Sequence, residues 1–432
     1  MYFLKKLIPK SIFEFFSPVY HYGLALFGAL IYRFPSRKMT MIAVTGTKGK
    51  SSTAEMLSAI FEAAGHKTAL LGTIRFKIGE DSRPNKLKMT LPGRFFVQRF
   101  LREAVDAECD VCVIEISSEA AKQYRHKFIY LDGLVFTNLS PEHIESHGSF
   151  EAYRKAKLSI SESLRKKLKP KSVMVANADD PNAHLFLACG AEEVYPYSLT
   201  NGEPYNVDAN GICFTYKGIE IKSPLRGVFN LYNLLGACTL AEAFGIPSLS
   251  IKQGLENLSL IRGRVEFVRL PSIEDRKDQD FDVVVDYAHT AESLGELYKA
   301  FDTQRKICVL GNTGGGRDKW KRPEMAKVAD YFCDEVILAN EDPYDEDPDQ
   351  IINDMMPGFS SHTPTVIMDR RAAIQEAIRR AKTGDAVLIT GKGTDPYIML
   401  ANNQKLEWSD YEVAREELEK VLKSAPVDAL VS

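Results

Sequence analysis

The chain has 432 residues, 45% hydrophobic and 26% charged, a globular composition long enough for two or three domains. A net charge of −3 argues against a nucleic-acid binder that relies on bulk electrostatics. Seven scattered cysteines, an odd number, argue against a disulfide framework and point to a reducing cytoplasm.

Residues 1–38 form a segment of their own. Lys5, Lys6 and Lys10 precede an apolar, aromatic stretch from Ile12 to Phe34, and Arg33, Arg37 and Lys38 follow. Ser17-Pro18 has the form of an N-cap and first helical position, predicting a helix from Pro18 to Arg33. Such a helix is about 24 Å long, short of a hydrocarbon core of roughly 30 Å. No small-residue cleavage signature accompanies it. Three placements stay open: docked on the protein's own body, lying in a membrane interface with basic flanks, or spanning a membrane.

The chain is organised around Met41–Thr53, M-I-A-V-T-G-T-K-G-K-S-S-T. An apolar strand runs into a turn with Gly46 and Gly49, and a helical pattern opens at Lys50, Ser51, Ser52 and Thr53. Strand, glycine turn and helix N-terminus make a phosphate cradle over Gly46, Thr47, Lys48 and Gly49. Lys50 is placed for the β/γ-phosphates and the Ser51 hydroxyl for Mg²⁺. The longer spacing G-x-x-x-x-G-K-[ST] would need glycine where Val44 stands.

From residue 39 to 262 strands and helices alternate, as in a mostly parallel α/β domain. Strands are expected at 41–45, 68–73, 111–116, 133–137 and 172–177, and helices at 52–64, 94–106, 150–168, 230–244 and 248–257. The stretch 193–222 reads as strands and turns. A boundary near Gly263 opens a smaller, doubly wound, Rossmann-like α/β domain (263–432), with strands at 282–286, 306–310, 335–339 and 386–390. Cys109 and Cys112 form a C-x-x-C on an apparent strand, where side chains three apart face opposite sides, and read as packing residues.

Several clusters sit at strand C-terminal ends, where open α/β sheets place ligands. Glu115 precedes Ser117-Ser118 and is a natural Mg²⁺ ligand facing a P-loop, though alone it is only a strand-end acid. Thr137-Asn138-Leu-Ser140-Pro-Glu142-His143 is followed by Tyr153 and Lys157; alone, His143 and Lys157 are ordinary surface or core residues. Asn230 and Asn233 share one helical face, to read a base edge or to cap the helix. Arg264 and Asp286 could clamp a triphosphate and a ribose. The loop Gly311–Lys319, then Lys321-Arg322-Pro323, gathers cations suited to a carboxylate-bearing substrate.

These stretches resemble the Mur ligase family, and most of all its MurE branch, which adds the third residue of the peptidoglycan stem peptide. The matching motifs are T-G-T-K-G-K-S at 45–51, E-I-S-S at 115–118 with Gln123 and Arg125, T-N-L-S-P-E-H at 137–143, A-K at 156–157, F-N-L-Y-N at 229–233, R-G-R-V-E at 262–266, V-D-Y-A-H-T at 285–290, R-D-K-x-K-R-P at 317–323 and G-K-G at 391–393. They occur in family order. The resemblance implies ATP and two Mg²⁺ ions, with metal ligands Ser51, Glu115, His143 and a carbamylated Lys157. It implies catalytic roles for Lys50, Glu115, His143 and Lys157, and ATP contacts from residues 46–52, Asn230, Asn233, Arg264 and Asp286. Thr90, Ser117, Gln123 and Arg125 are then expected on the UDP-linked muramyl dipeptide. Arg317, Asp342, Tyr344, Gly391 and Asp395 are expected around the incoming amino acid. The implied reaction converts a carboxylate to an acyl phosphate, which the amine attacks. The implied setting is cytoplasmic, with residues 1–38 as a candidate contact with the inner face of the plasma membrane.

Four departures bear on the substrate. The P-loop begins near residue 45, where MurE proteins carry a whole uridine-binding domain ahead of theirs. E-[VI]-S-S-H has Glu119 in place of His. D-N-P-R, whose arginine grips the far carboxylate of diaminopimelate, reads Glu341-Asp342-Pro343-Tyr344. G-K-G-H-E reads Gly391-Lys392-Gly393-Thr394-Asp395. Diaminopimelate through Arg317 and lysine therefore both stay open as the amine. The acceptor stays open between a UDP-linked and a lipid-linked muropeptide, and two other classes compete: a ligase of polyglutamate or cyanophycin type acting on another acid, and a non-catalytic ATP-binding scaffold of wall synthesis. The motifs E-I-S-S…Q-x-R and D-Y-A-H-T disfavour the first; Lys50, Glu115, His143 and Lys157 together disfavour the second.

Overall fold

The computed structural model describes residues 10–142, 144–164, 171–271 and 279–424, with only the backbone of 10–16 and 424. The chain divides into two compact units whose main break falls at Leu258–Ser259. In the first unit the elements are α1 (Lys10–Ile31), β1 (Thr40–Thr45), α2 (Lys50–Ala63), β2 (Thr68–Leu71), β3 (Arg75–Ile78), β4 (Asp81–Pro84), α3 (Arg94–Asp106), β5 (Val111–Glu115), α4 (Ser118–Lys122), β6 (Gly133–Phe136), α5 (Ile144–His147), α6 (Phe150–Ser161), β7 (Val173–Asn177), α7 (Ala183–Leu187) and β8 (Glu193–Tyr197). The strands form one eight-stranded sheet, β4-β3-β2-β5-β1-β6-β7-β8. Strands β2, β5, β1, β6, β7 and β8 are parallel, and β3 and β4 return antiparallel. Strands β5, β6 and β7 are buried throughout, as continuous apolar strands covered on both faces should be.

A separate three-stranded sheet follows, ordered β11-β10-β9 from β9 (Tyr205–Asp208), β10 (Gly211–Tyr216) and β11 (Ile219–Ser223), then α8 (Val228–Ala243) and α9 (Ser248–Glu256). The second unit contains β12 (Glu266–Phe267), β13 (Asp282–Val285), α10 (Ala291–Lys299), β14 (Lys306–Leu310), α11 (Lys321–Phe332), β15 (Glu335–Leu338), α12 (Pro348–Met355), β16 (Thr365–Val366), α13 (Arg370–Arg380), β17 (Ala386–Ile389), β18 (Tyr397–Met399), β19 (Lys405–Glu407) and α14 (Asp410–Ser424). Its six-stranded sheet runs β12-β13-β17-β14-β15-β16, antiparallel only at β12. Inside it Arg370 and Asp410 form a buried bidentate pair that ties α13 to α14.

The expected architecture is present, with local corrections. Helix α1 begins at Lys10 and carries Pro18 inside rather than at its start. Apolar sequence continues the run upstream, and proline within it removes one backbone hydrogen bond. No described helix is long and apolar enough to cross a membrane. Helix α1 docks on α3. Gly28 lies against the Arg94 carbonyl, Phe95 and Gln98, and the Phe27 and Phe95 rings meet edge to face. Helix α6 ends at Ser161, short of the expected 168, and residues 165–170 lie outside the described part. Cys109 precedes β5 rather than standing on it, and both it and Cys112 are buried, free core thiols. Cys308 and Cys333 form a disulfide while five cysteines stay free, a single cross-link that their spacing did not disclose.

Candidate active site

In the first unit, strand order builds the site. β5 and β6 flank β1, and β2 flanks β5, so residues from distant stretches meet at their C-terminal ends. The loop 46–49 closes on α2. Gly46 has φ +150°, and a Cβ there would stand 1.9 Å from Thr137 Oγ1; Gly49 has φ +80°, and its Cβ would stand 2.2 Å from Asn233 Oδ1. Glycine is therefore required at both positions. Asn138 holds the loop, accepting from Lys48 N on Oδ1 (2.9 Å) and from Thr47 N on its carbonyl (2.8 Å). Lys50 Nζ folds over the loop onto the carbonyls of Gly46 and Thr47, at 2.9 and 2.7 Å. The first turn of α2, from Lys50 through Ser52, points its backbone N–H groups along the axis with no intrahelical acceptor.

Glu115, 1% exposed, gathers hydroxyl and amide donors. Ser51 Oγ donates to one carboxylate oxygen at 2.8 Å and Thr73 Oγ1 at 3.0 Å, while Thr73 N donates to the other at 2.7 Å. Hydroxyl and carboxylate oxygens beside a phosphate cradle are the hard donor set that Mg²⁺ takes. Among the described residues no cluster of three His, Cys, Asp or Glu side chains could hold a metal alone. Thr73 escaped the sequence reading; its only signal was a hydroxyl at the end of a predicted strand.

Lys157 is buried on α6 and donates to the Gly46 carbonyl at 2.6 Å. Burial first, and then the neighbouring Lys50, hold its amine well below the ordinary lysine value, against the pull of Glu142. Beside it Tyr153 bonds Thr47 Oγ1 at 2.9 Å. His143 lies outside the described residues. Asn230 and Asn233 are buried on α8 and bonded to each other at 3.2 Å, with Thr53 Oγ1 3.4 Å from Asn233 Oδ1. They thus stand at the start of α2.

The residues expected on the acceptor form a neighbouring group. Thr73 Oγ1 reaches Thr90 Oγ1 at 3.0 Å, and Arg125 donates to the Leu91 carbonyl and to Gln123 Oε1, at 2.7 and 2.8 Å. Ser117 caps α4 and accepts from Ala120 N. Glu119, which departs from the family pattern, accepts from Ser146 and lies 3.4 Å from His147 Nε2, tying α4 to α5.

In the second unit the ends of adjacent strands β13, β17, β14 and β15 carry the other expected residues. Asp286 accepts from Val265 N and Ala288 N at 2.8 and 2.7 Å, so its carboxylate anchors the loop that presents Arg264. Burial raises its pKa against the opposing Arg264 charge. The Arg264 guanidinium stands 4.6 Å from the Tyr287 ring centroid. Arg317 lies 5.8 Å from the Tyr344 ring centroid, and that ring packs against Gly315. Partial desolvation opposes the Arg317 charge, but Tyr344, Tyr287, Asp342 and Asp395 together hold its pKa above the ordinary arginine value. Asp342 is engaged by buried Lys392 (2.9 Å) and Met399 N (2.8 Å), and Asp395 stands 3.8 Å from Lys392. Gly391 has φ +104°, and a Cβ there would stand 2.3 Å from Glu341 Oε2. Arg322, fully buried, bonds Glu346, Asp354 and the Thr313 carbonyl, fixing the glycine-rich loop that presents Arg317.

Residues 44–241 match the Mur ligase middle domain, and residues 263–393 match the glutamate ligase domain of Mur ligases. The UDP-N-acetylmuramoyl-L-alanyl-D-glutamate–2,6-diaminopimelate ligase of Bacillus licheniformis is 36% identical over 406 residues, 91% of this chain and 81% of that protein. Its counterpart in Syntrophomonas wolfei is 34% identical over 416 residues, 93% and 82% of the two chains. A solved structure of a ligase of that name superposes with a TM-score of 0.59 at 28% identity, over 88% of this chain and 78% of the other. Mycobacterium tuberculosis folylpolyglutamate synthase with ADP shares the fold, with a TM-score of 0.69 at 17% identity, over 88% and 93%. Two domain matches in family order, and relatives above a third identical over nine-tenths of its length, lead to one conclusion: the chain belongs to the Mur ligase family.

Proposed function

We propose that this chain is an ATP-dependent ligase of peptidoglycan precursor synthesis that joins diaminopimelate to the D-glutamyl carboxylate of UDP-N-acetylmuramoyl-L-alanyl-D-glutamate. The observation that carries the reading is the phosphate cradle with Ser51 and Thr73 bonded to Glu115 and with Lys157 sealed beside Gly46. On this reading residues 39–262 and 263–432 are the two catalytic domains.

A carboxylate is a poor electrophile, so it first attacks the γ-phosphorus of ATP and ADP leaves. The amine then attacks the carbonyl carbon of the acyl phosphate, phosphate leaves, and the new amide loses a proton. The first step joins two anions and demands charge neutralisation and in-line positioning. Lys50 and the start of α2 meet that demand at the phosphates. Mg²⁺, when bound, adds further neutralisation and a template across the phosphate oxygens. Ser51 and Glu115 would hold one ion, His143 and Lys157 the other. Burial and then Lys50 lower the Lys157 pKa, which favours the unprotonated amine that adds CO₂ with loss of a proton, and the carbamate anion formed would face Lys50 favourably. Arg264, Asn230 and Asn233 serve the nucleotide, and Arg317 the carboxylate of the amino acid.

Lysine as the amine is a second reading, favoured by Tyr344. A phenol cannot make the bidentate carboxylate pair that an arginine makes. Phosphate release with UDP-MurNAc-L-Ala-D-Glu, ATP and Mg²⁺, run with diaminopimelate and with lysine in parallel, decides between them. No release with either amine, while ATP still binds, would refute the ligase reading for this acceptor.

A cytoplasmic setting goes with this reading, with α1 resting on the anionic inner membrane face. Val19, Phe27, Leu30 and Ile31 are exposed on α1, and residues 17–38 contain Arg33, Arg37 and Lys38 but no acid. Co-sedimentation with anionic vesicles tests this, and no binding at low salt would sink it.

A further inference from the structure

Arg94 and Arg125 are an unusual pair. Each is half-buried, and among the described residues neither forms an ion pair. Arg94 Nη2 donates to the Gln123 carbonyl, while Arg125 spends its bonds on the Leu91 carbonyl and Gln123 Oε1. The Nε of each is buried without a hydrogen-bond partner. Other covered arginines face carboxylates: Arg75 faces Glu55, Arg305 faces Asp385, Arg322 faces Glu346 and Arg370 faces Asp410. Burial and the guanidinium of Arg125 hold Arg94 below the ordinary arginine value, with Tyr20 opposing; burial does the same to Arg125, with Glu119 opposing. Two like charges are thus kept together with no carboxylate bonded to either.

Three further features lie at the same place. Arg94 opens α3, whose N-cap Gly93 makes no side-chain bond and whose first turn carries no acid, so the positive helix end is uncompensated. The aromatic face of α1 stands beside it. Tyr22 meets Tyr124 and Phe128, with centroids 6.5 and 5.0 Å away, and Tyr20 and Tyr22 are both exposed. A line of bonds runs from the phosphate cradle toward the pair, from Ser51 to Glu115, Thr73 and Thr90, whose neighbour Leu91 receives Arg125.

We propose that Arg94 and Arg125, at the start of α3 and against the tyrosines of α1, bind a phosphate or diphosphate ester at the far end of the acceptor. Paired guanidiniums and a helix N-terminus match phosphate oxygens in charge and geometry. Tyr20 and Tyr22 offer an apolar wall to whatever the diphosphate carries, a nucleoside or a polyprenyl chain. This rests on the reading of the chain as a muramyl-dipeptide ligase. It gives α1 a part in holding the acceptor.

The test compares kcat/KM for the muramyl dipeptide carrying a diphosphate with that for the same dipeptide without it, in wild type, R94Q and R94K. Parallel arms use the uridine diphosphate ester and a short polyprenyl diphosphate ester, to tell which carrier is read. Wild type favours the diphosphate-bearing acceptor, R94Q loses about tenfold of that preference through KM, and R94K regains part of it. Turnover in which R94Q keeps the wild-type preference overturns the proposal and leaves the ligase reading standing. If wild type turns over neither acceptor, the ligase reading fails, and calorimetric titration with UDP decides the anion site. In that titration the P-loop is filled by a non-hydrolysable ATP analogue. Weaker binding in R94Q than in wild type supports the site, and equal binding overturns it.

Discussion

Lys157 Nζ donates to the Gly46 carbonyl at 2.6 Å from a position 1% exposed, so a buried amine is bonded to the turn that opens the phosphate cradle. Its pKa lies well below the ordinary 10.5, through burial and then Lys50. Between that lowered value and 10.5 the unfolded chain holds a proton that the folded chain has lost. Stability contributed at this position therefore rises with pH through the window and falls as pH drops toward the folded value. K157M should abolish that slope in melting temperature measured at several pH values. It should also lower turnover by about 100-fold while ATP binding survives. Wild-type activity should rise when bicarbonate is added to CO₂-stripped buffer. An activity indifferent to bicarbonate would remove the carbamate from the mechanism.

Gly46 tests the cradle itself. A methyl group there stands 1.9 Å from Thr137 Oγ1, which donates to the Lys48 carbonyl at 2.6 Å. Gly46→Ala should cost about 1–3 kcal/mol and weaken ATP binding by calorimetry. Gly65 also has positive φ, at +87°, but nothing within 4 Å of its would-be Cβ. Gly65→Ala should cost roughly 1–2 kcal/mol and leave ATP affinity alone. Equal ATP affinities for the two variants would refute the steric argument.

Tyr344 tests the choice of amine. Its φ of +52° is already paid for by a non-glycine residue, so Tyr344→Arg adds no backbone strain. The variant places a second guanidinium near Arg317, and kcat/KM for diaminopimelate relative to lysine should rise by about tenfold. An unchanged ratio would mean that residue 344 does not face the amino acid's far end.

Glu346 tests how the glycine-rich loop is held. Burial opposes its charge, but bonds from Gly316 N, Arg322 and Lys319 bring its pKa down to about 2 from the ordinary 4.5. The stability it contributes is present above 4.5 and is lost as pH falls through that interval. E346Q should melt lower than wild type at pH 7, and the difference should shrink toward pH 3. A constant difference would assign the effect to packing rather than charge.

The sequence by itself determined the alternation of strands and helices, the cradle from Thr45 to Thr53, and the order of the motifs that mark the family. These are local signals: apolar runs, glycines where the chain must turn, and a lysine and hydroxyls at a helix start. The structure decided which distant stretches meet. Strand order sets Glu115 and Thr73 against Ser51, and no periodicity predicts that adjacency. Burial, a property of the packed chain, turned Lys157 from an ordinary helical lysine into a depressed amine. Packing also showed that Asp286 anchors a loop, that Asp342 is engaged by Lys392, and that Arg94 and Arg125 both bond Gln123, with no carboxylate bonded to either among the described residues. A residue's type is written in the sequence, but its charge partners and its distance from water exist only once the chain is folded.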